Sequence, residues 1–334
     1  MKVCSLFPII ALYLWTGCGT ADERTNRDAW PDEGLPELPP TPLVDPDSAY
    51  HYVERQVSFG PRVPGSDAHR NCGDWLVARL TEHGAVVHEQ VGKVTAFNGQ
   101  QLPLRNIIGS WSPDRSERIL LLAHWDTRPF ADKDEERKNE PIDGANDGGS
   151  GVGVLLEIAR HLGAKEHGPG VDILFTDVED FGSPSGAMGM GEGSMDTWAL
   201  GSQYWARSPH KPGYTARFGI LLDMVGGRDA RFYQEALSMQ YAPAIVRKVW
   251  RTADALGYGD RFIQEQKYFV GTDDHVPVNE YLRIPTIDII EFHESTGGFH
   301  PSWHTHDDNM SVIDRSSLKA VGQTVMEVVW KERD

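Results

Sequence analysis

The sequence predicts an α/β fold in which helices cover both faces of a central sheet. Four short apolar runs, at 119–123, 171–178, 218–224 and 286–291, have the length and continuity of strands buried on both sides. Helix-period patterns lie between and after them, at 152–162, 242–256 and 316–330. Alternation of the two marks strands joined through covering helices. The 334 residues, 40% hydrophobic and 24% charged, hold enough apolar material for a sizeable core, which excludes a wholly disordered chain.

Taken in order, the chain opens with Lys2 and an apolar stretch, 3–15, closed by Leu14-Trp15-Thr16-Gly17-Cys18. Small residues before a cysteine at that place look like a bacterial lipoprotein cleavage site. Residues 1–17 are therefore expected to be a lipoprotein-type signal peptide, with Cys18 as the lipid anchor. An ordinary cleaved signal with Cys18 incidental is the alternative. On either reading the protein is exported, to the periplasm or cell envelope. Residues 18–48 are rich in proline and acids and lack apolar periodicity, as an extended tether does. The body is expected over 49–334. Within it, 67–83 reads as a helix with Trp75, Leu76 and Leu80 on one side, and 85–91 as a short strand. Residues 182–196, rich in Gly, Ser and Met, read as a mobile surface loop.

Composition narrows the function. A net charge of −17 repels phosphate backbones and argues against nucleic-acid binding. No internal stretch is long and apolar enough to span a bilayer, so membrane contact is expected only through Cys18. Cys4 leaves with the signal and Cys18 is acylated or lost, so Cys72 has no partner for an intrachain disulfide. A lone cysteine is read as a small buried hydrophobe. No GxGxxG opens a helix after a strand. Oligomeric state defaults to monomer.

Polar, metal-competent residues follow the apolar runs. His124-Trp125-Asp126 comes after the first and Asp177-Val178-Glu179-Asp180 closes the second. The third carries Asp223; Gly144-Ala145-Asn146-Asp147 leads into a helix; Asp273-Asp274-His275 and Trp303-His304-Thr305 lie later. Open α/β sheets place their sites outside the carboxyl ends of the strands, so these segments converge on one crevice. Carboxylate plus imidazole without thiolate suits a catalytic zinc with an open position. Asp147, Asp180 and His304 could supply three ligands, leaving Glu179 free to move protons. Each motif alone has a plain reading: Asp147 as a helix cap, Glu179-Asp180 as a solvated loop, Asp273-Asp274 as a turn. Their shared position after strands is what argues against it. His51, His69, His83, His88, His161, His167 and His210 lack that context and read as ordinary.

Together with the run Phe59-Gly60-Pro61-Arg62-Val63-Pro64-Gly65-Ser66 and with Asp307-Asp308-Asn309, these motifs resemble the glutaminyl cyclases, from about Tyr50 onward. That family shares its fold with zinc-dependent aminopeptidases. The resemblance implies a single domain with a central mixed, mostly parallel twisted sheet flanked by helices. It implies one Zn2+ per chain on Asp147, Asp180 and His304, with Glu179 as general base and acid. It further implies a hydrogen-bonded carboxylate pair, Asp223 and Asp273, and substrate contacts from Trp303 and Trp198. The implied substrates are peptides or proteins with an N-terminal glutamine, closed to pyroglutamate with loss of ammonia. Two alternatives stand beside it. A two-zinc aminopeptidase would use His124, a bridging Asp147 and Asp223. A surface-anchored peptide-binding protein without catalysis would use the same fold.

Overall fold

Continuous apolar runs become strands because a layer of helices or loops covers each of their faces. The computed structural model describes residues 1, 40–165, 167–184 and 197–332. The expected signal peptide, most of the tether and residues 185–196 of the expected loop lie outside the described residues. In chain order the elements are α1 (Pro46–Val57), α2 (Asp67–Glu82), β1 (Val86–Thr95), β2 (Gln101–Trp111), β3 (Arg118–His124) and α3 (Ser150–Ala164). Next come β4 (Gly170–Thr176), α4 (Leu200–Arg207), β5 (Phe218–Asp223), β6 (Phe232–Glu235), α5 (Ala236–Tyr241), α6 (Pro243–Ala255) and β7 (Phe262–Lys267). A single helical turn, α7 (His275–Pro277), precedes β8 (Thr286–Ile290) and α8 (Arg315–Lys331).

The main sheet has the strand order β1-β2-β4-β3-β5-β8. Strands β4, β3, β5 and β8 run parallel, and β1 and β2 add an antiparallel hairpin at one edge. The sheet is therefore mixed and mostly parallel, as expected. A small parallel pair, β6–β7, forms a second sheet. Side-chain alternation divides the core. In β3, Ile119, Leu121 and Ala123 face the larger apolar layer with α1, α2, α3, α6 and α8. Leu120 and Leu122 face a smaller layer with Trp205 of α4. All seven residues of β3 are buried, which is why the sequence shows a run there and no alternation.

Two helix starts are fixed by side chains that accept otherwise orphaned N–H groups. Asp45 caps α1 through the N–H of Asp47 at 3.0 Å, and Ser66 caps α2 through that of His69 at 3.0 Å. The body begins earlier than expected. Val44 is buried and its N–H donates to Gln323 Oε1 at 2.9 Å, while Gln323 Nε2 donates to the Pro42 carbonyl at 3.1 Å. Residues 42–48 thus pack on α8 and α3 instead of belonging to a tether. Among the described residues no helix is long and apolar enough to cross a membrane.

Candidate active site

The carboxyl ends of β3, β4, β5 and β8 open on one side of the sheet, and the loops after them line a cavity of about 310 Å³. Eight sequence-predicted site residues border it: Asp147, Glu179, Asp180, Trp198, Asp223, Asp273, Trp303 and His304. Phe269, Val270, Phe299, Met224 and Ile290 supply an apolar wall that the sequence reading did not foresee.

Backbone anchors place the acids. Asp308 is buried and its two oxygens accept the N–H groups of Asn146 (2.8 Å) and Asp147 (3.1 Å). Asp126 does the same for Glu179 (3.1 Å) and Asp180 (3.2 Å). Gly148 turns the chain at φ +81°, where an added Cβ would lie 2.4 Å from the Asp126 carbonyl oxygen. Only glycine makes that turn without strain. Val178, Met224 and His304 also hold positive φ, at 55°, 44° and 59°. For a β-branched residue such as Val178 this is costly, and such strain gathers at functional sites.

Ligand atoms from Asp147, Asp180 and His304 lie within 4.8 Å of one another, all buried. His304 Nε2 is 3.2 Å from Asp180 Oδ1 and 3.8 Å from Asp147 Oδ2. Asp180 Oδ2 is buried without a hydrogen-bond partner. A buried carboxylate oxygen left without a partner in such a cluster is what a bound cation would satisfy. The donor set of two carboxylates and one imidazole, without thiolate, fits zinc with an open position. On its far side His304 Nδ1 lies 3.1 Å from Asp132 Oδ1, which also accepts from Arg128 Nε at 2.6 Å. A carboxylate behind the ring fixes which nitrogen faces a metal. Burial opposes ionisation of Asp132, but His304 and Arg128 outweigh it and hold the carboxyl well below its usual range.

A second set meets at His124. Its Nε2 lies 3.0 Å from Asp147 Oδ1 and 3.2 Å from Asp223 Oδ1. Burial disfavours the imidazolium, yet Asp126, Asp147 and Asp223 together push its pKa well up. Burial, reinforced by Asp180, Asp273 and Asp274 against His124, pushes the Glu179 carboxyl well above its ordinary value. Burial and the charge of Asp223 do the same to Asp273, and burial and Asp147 bring Asp180 to about 6. Trp303 stacks on His304 with centroids 3.7 Å apart, and Trp198 lies nearly parallel to the same ring at 5.9 Å. Arg128 covers the Trp198 ring at 4.7 Å.

Sequence reasoning missed the supporting roles of Asp126, Arg128, Asp132 and Asp308. Asp126 and Asp308 were visible inside motifs. Asp132 stands at the start of a charged run, 132–138, that reads as a solvated face. His69, read as ordinary, is a buried structural residue: its Nε2 lies 2.9 Å from Asp177 Oδ1 and its ring stacks on Trp125.

Comparison with known proteins agrees with the geometry. The model of peptidase family M28 matches residues 106–329. The solved glutaminyl cyclase of Bacteroides thetaiotaomicron, bound to N-acetylhistamine, is 51% identical, with TM-score 0.85 over 88% of this chain and 100% of that one. A solved Zn-dependent exopeptidase of Parabacteroides distasonis is 50% identical, with TM-score 0.85 over the same shares. Aminopeptidase YwaD of Bacillus subtilis is 25% identical over 84% of this chain, which spans only 56% of that protein's length. The chain belongs to peptidase family M28 and is similar across its body to a bacterial glutaminyl cyclase.

Proposed function

We propose that this protein is a zinc-dependent glutaminyl-peptide cyclotransferase, closing the N-terminal glutamine of peptides to pyroglutamate with release of ammonia. The observation that carries the reading is the cavity wall. Trp303 and Trp198 flank the His304 ring, and Phe269 and Phe299 close the apolar side around Glu179 and the three ligands. Such a pocket suits one neutral side chain folded back toward its own α-amine.

Asp147, Asp180 and His304 would hold one zinc ion in the cleft, where it would supply Lewis acidity toward the glutamine side-chain carbonyl. The aromatic wall holds the α-amine near that carbonyl carbon and keeps water away. Glu179 accepts a proton from the α-amine as the new N–C bond forms. It returns that proton to the side-chain nitrogen as the old C–N bond breaks and ammonia leaves. Its carboxyl pKa, raised by burial and by the neighbouring acids, suits an acid–base role. Asp273, crowded by Asp223, acts in its protonated form as a hydrogen-bond donor beside it. His124 lies between Asp147 and Asp223, its Nε2 within hydrogen-bond reach of both carboxylates. The mature protein is read as an exported monomer anchored through Cys18.

One observation favours a second reading. Ligand atoms of His124, Asp147 and Asp223 also lie within 4.8 Å of one another, the arrangement a two-zinc aminopeptidase needs. Product analysis separates the two. Incubation of the zinc-loaded protein with a Gln-initiated dipeptide should yield the pyroglutamyl dipeptide and ammonia. Free glutamine would support the peptidase, and no turnover the binding protein.

A further inference from the structure

One cluster of metal-competent side chains lies outside the machinery above. Glu291 follows β8, and His293 and His300 bracket the turn beyond it. One ligand atom from each lies within 4.8 Å of the others. His293 Nε2 is 3.3 Å from Glu291 Oε2, and the two imidazoles meet edge to face with centroids 4.6 Å apart. His300 Nδ1 lies 2.7 Å from Ser302 Oγ, which engages that nitrogen and leaves Nε2 for a ligand. The turn is closed by two backbone bonds, His293 N–H to Gly298 O at 2.7 Å and Gly297 N–H to His293 O at 2.9 Å. Both histidines are therefore presented from a fixed loop, and Glu291 is wholly buried.

We propose that Glu291, His293 and His300 form a further transition-metal site, suited to Zn2+, that ties the 293–300 turn to the end of β8. Two imidazoles and one carboxylate are a zinc donor set, with water completing the shell. The Ser302 hydroxyl behind His300 orients the ring as an outer partner does in metal sites. The site touches the cavity through its neighbours. The other oxygen of Glu291 accepts from Asn146, which precedes the ligand Asp147, and Phe299 of the same turn lines the cavity wall. Occupancy gives two zinc ions per chain with only one in the cleft, so a bare metal count of two does not indicate a peptidase.

The test is zinc titration of the chelator-stripped protein, with bound metal counted by mass spectrometry. Wild type should bind two ions, and His293→Gln and His300→Gln one each. His304→Gln should also bind one, and the double variant with His300→Gln none. His300→Asp, which keeps a ligand oxygen, should restore the second ion. His300 is half-buried, as His293 is, and His300→Gln serves if His293→Gln fails to fold. Two ions retained in His300→Gln would overturn the inference. So would a second ion lost in Asp223→Asn but kept in His300→Gln, which would place paired ions in the cleft. A single ion lost only in His304→Gln would overturn it while leaving the proposed activity intact. A single ion lost only in His300→Gln would support it and instead remove the zinc from the cleft.

Discussion

Glu179 is the residue whose chemistry is asked to do most. Replacing it with Gln keeps its shape and the proposed zinc ligands but removes the proton carrier of the proposed mechanism. The expected result is a fall in kcat of about 10²–10⁴-fold with zinc content unchanged, read by ammonia release and metal counting. Asp273 is expected to behave differently. Burial and Asp223 push its carboxyl well up, and the proposed mechanism uses it as a neutral donor. Asp273→Asn should keep most of the activity while Asp273→Ala loses it; complete loss in both would contradict the neutral-donor role. At this scale the sequence was informative because Asp147, Asp180, Asp223 and His304 follow strands or open a helix. It was silent on Asp132, since nothing in a run of charges says which one turns inward to meet His304.

Elements act here as holders of ligands, and their close approaches can be tested. Asp308→Ala frees the N–H groups of Asn146 and Asp147 and so loosens a ligand without touching one. Zinc affinity should fall about 10–100-fold, measured by competition with a chromophoric chelator. Gly151, in the first turn of α3, leaves no room for a side chain, because an added Cβ would sit 2.1 Å from the Leu222 carbonyl. Gly151→Ala should cost about 1–3 kcal/mol in denaturant unfolding and move α3 against β5. An unchanged midpoint would show that the helix yields freely. Strands β3, β4, β5 and β8 were legible because both their faces are buried. Strand β2 was not, since Pro103 and Gly109 break its pattern and its register is set by pairing with β1 and β4. Helix α1 escaped notice because its polar residues outweigh a narrow buried face of Ala49, Val53 and Gln56.

For the whole molecule, the sheet brings four strand ends and three long loops to one edge, and that convergence makes a site from residues up to 157 positions apart, Asp147 to His304. The α/β class and this edge could be read from order alone, because parallel strands force their connections to the same side. The start of the body could not: Val44 is held by Gln323, a contact across the chain that no local pattern encodes. The same long-range assembly fixes where a metal can sit. The most direct test is a crystal structure of the zinc-loaded protein with anomalous data collected at the zinc edge. The account predicts a strong peak about 2.0–2.2 Å from Asp147, Asp180 and His304, and none between His124 and Asp223. A pair of peaks bridged by Asp147, or no peak beside His304, would contradict it.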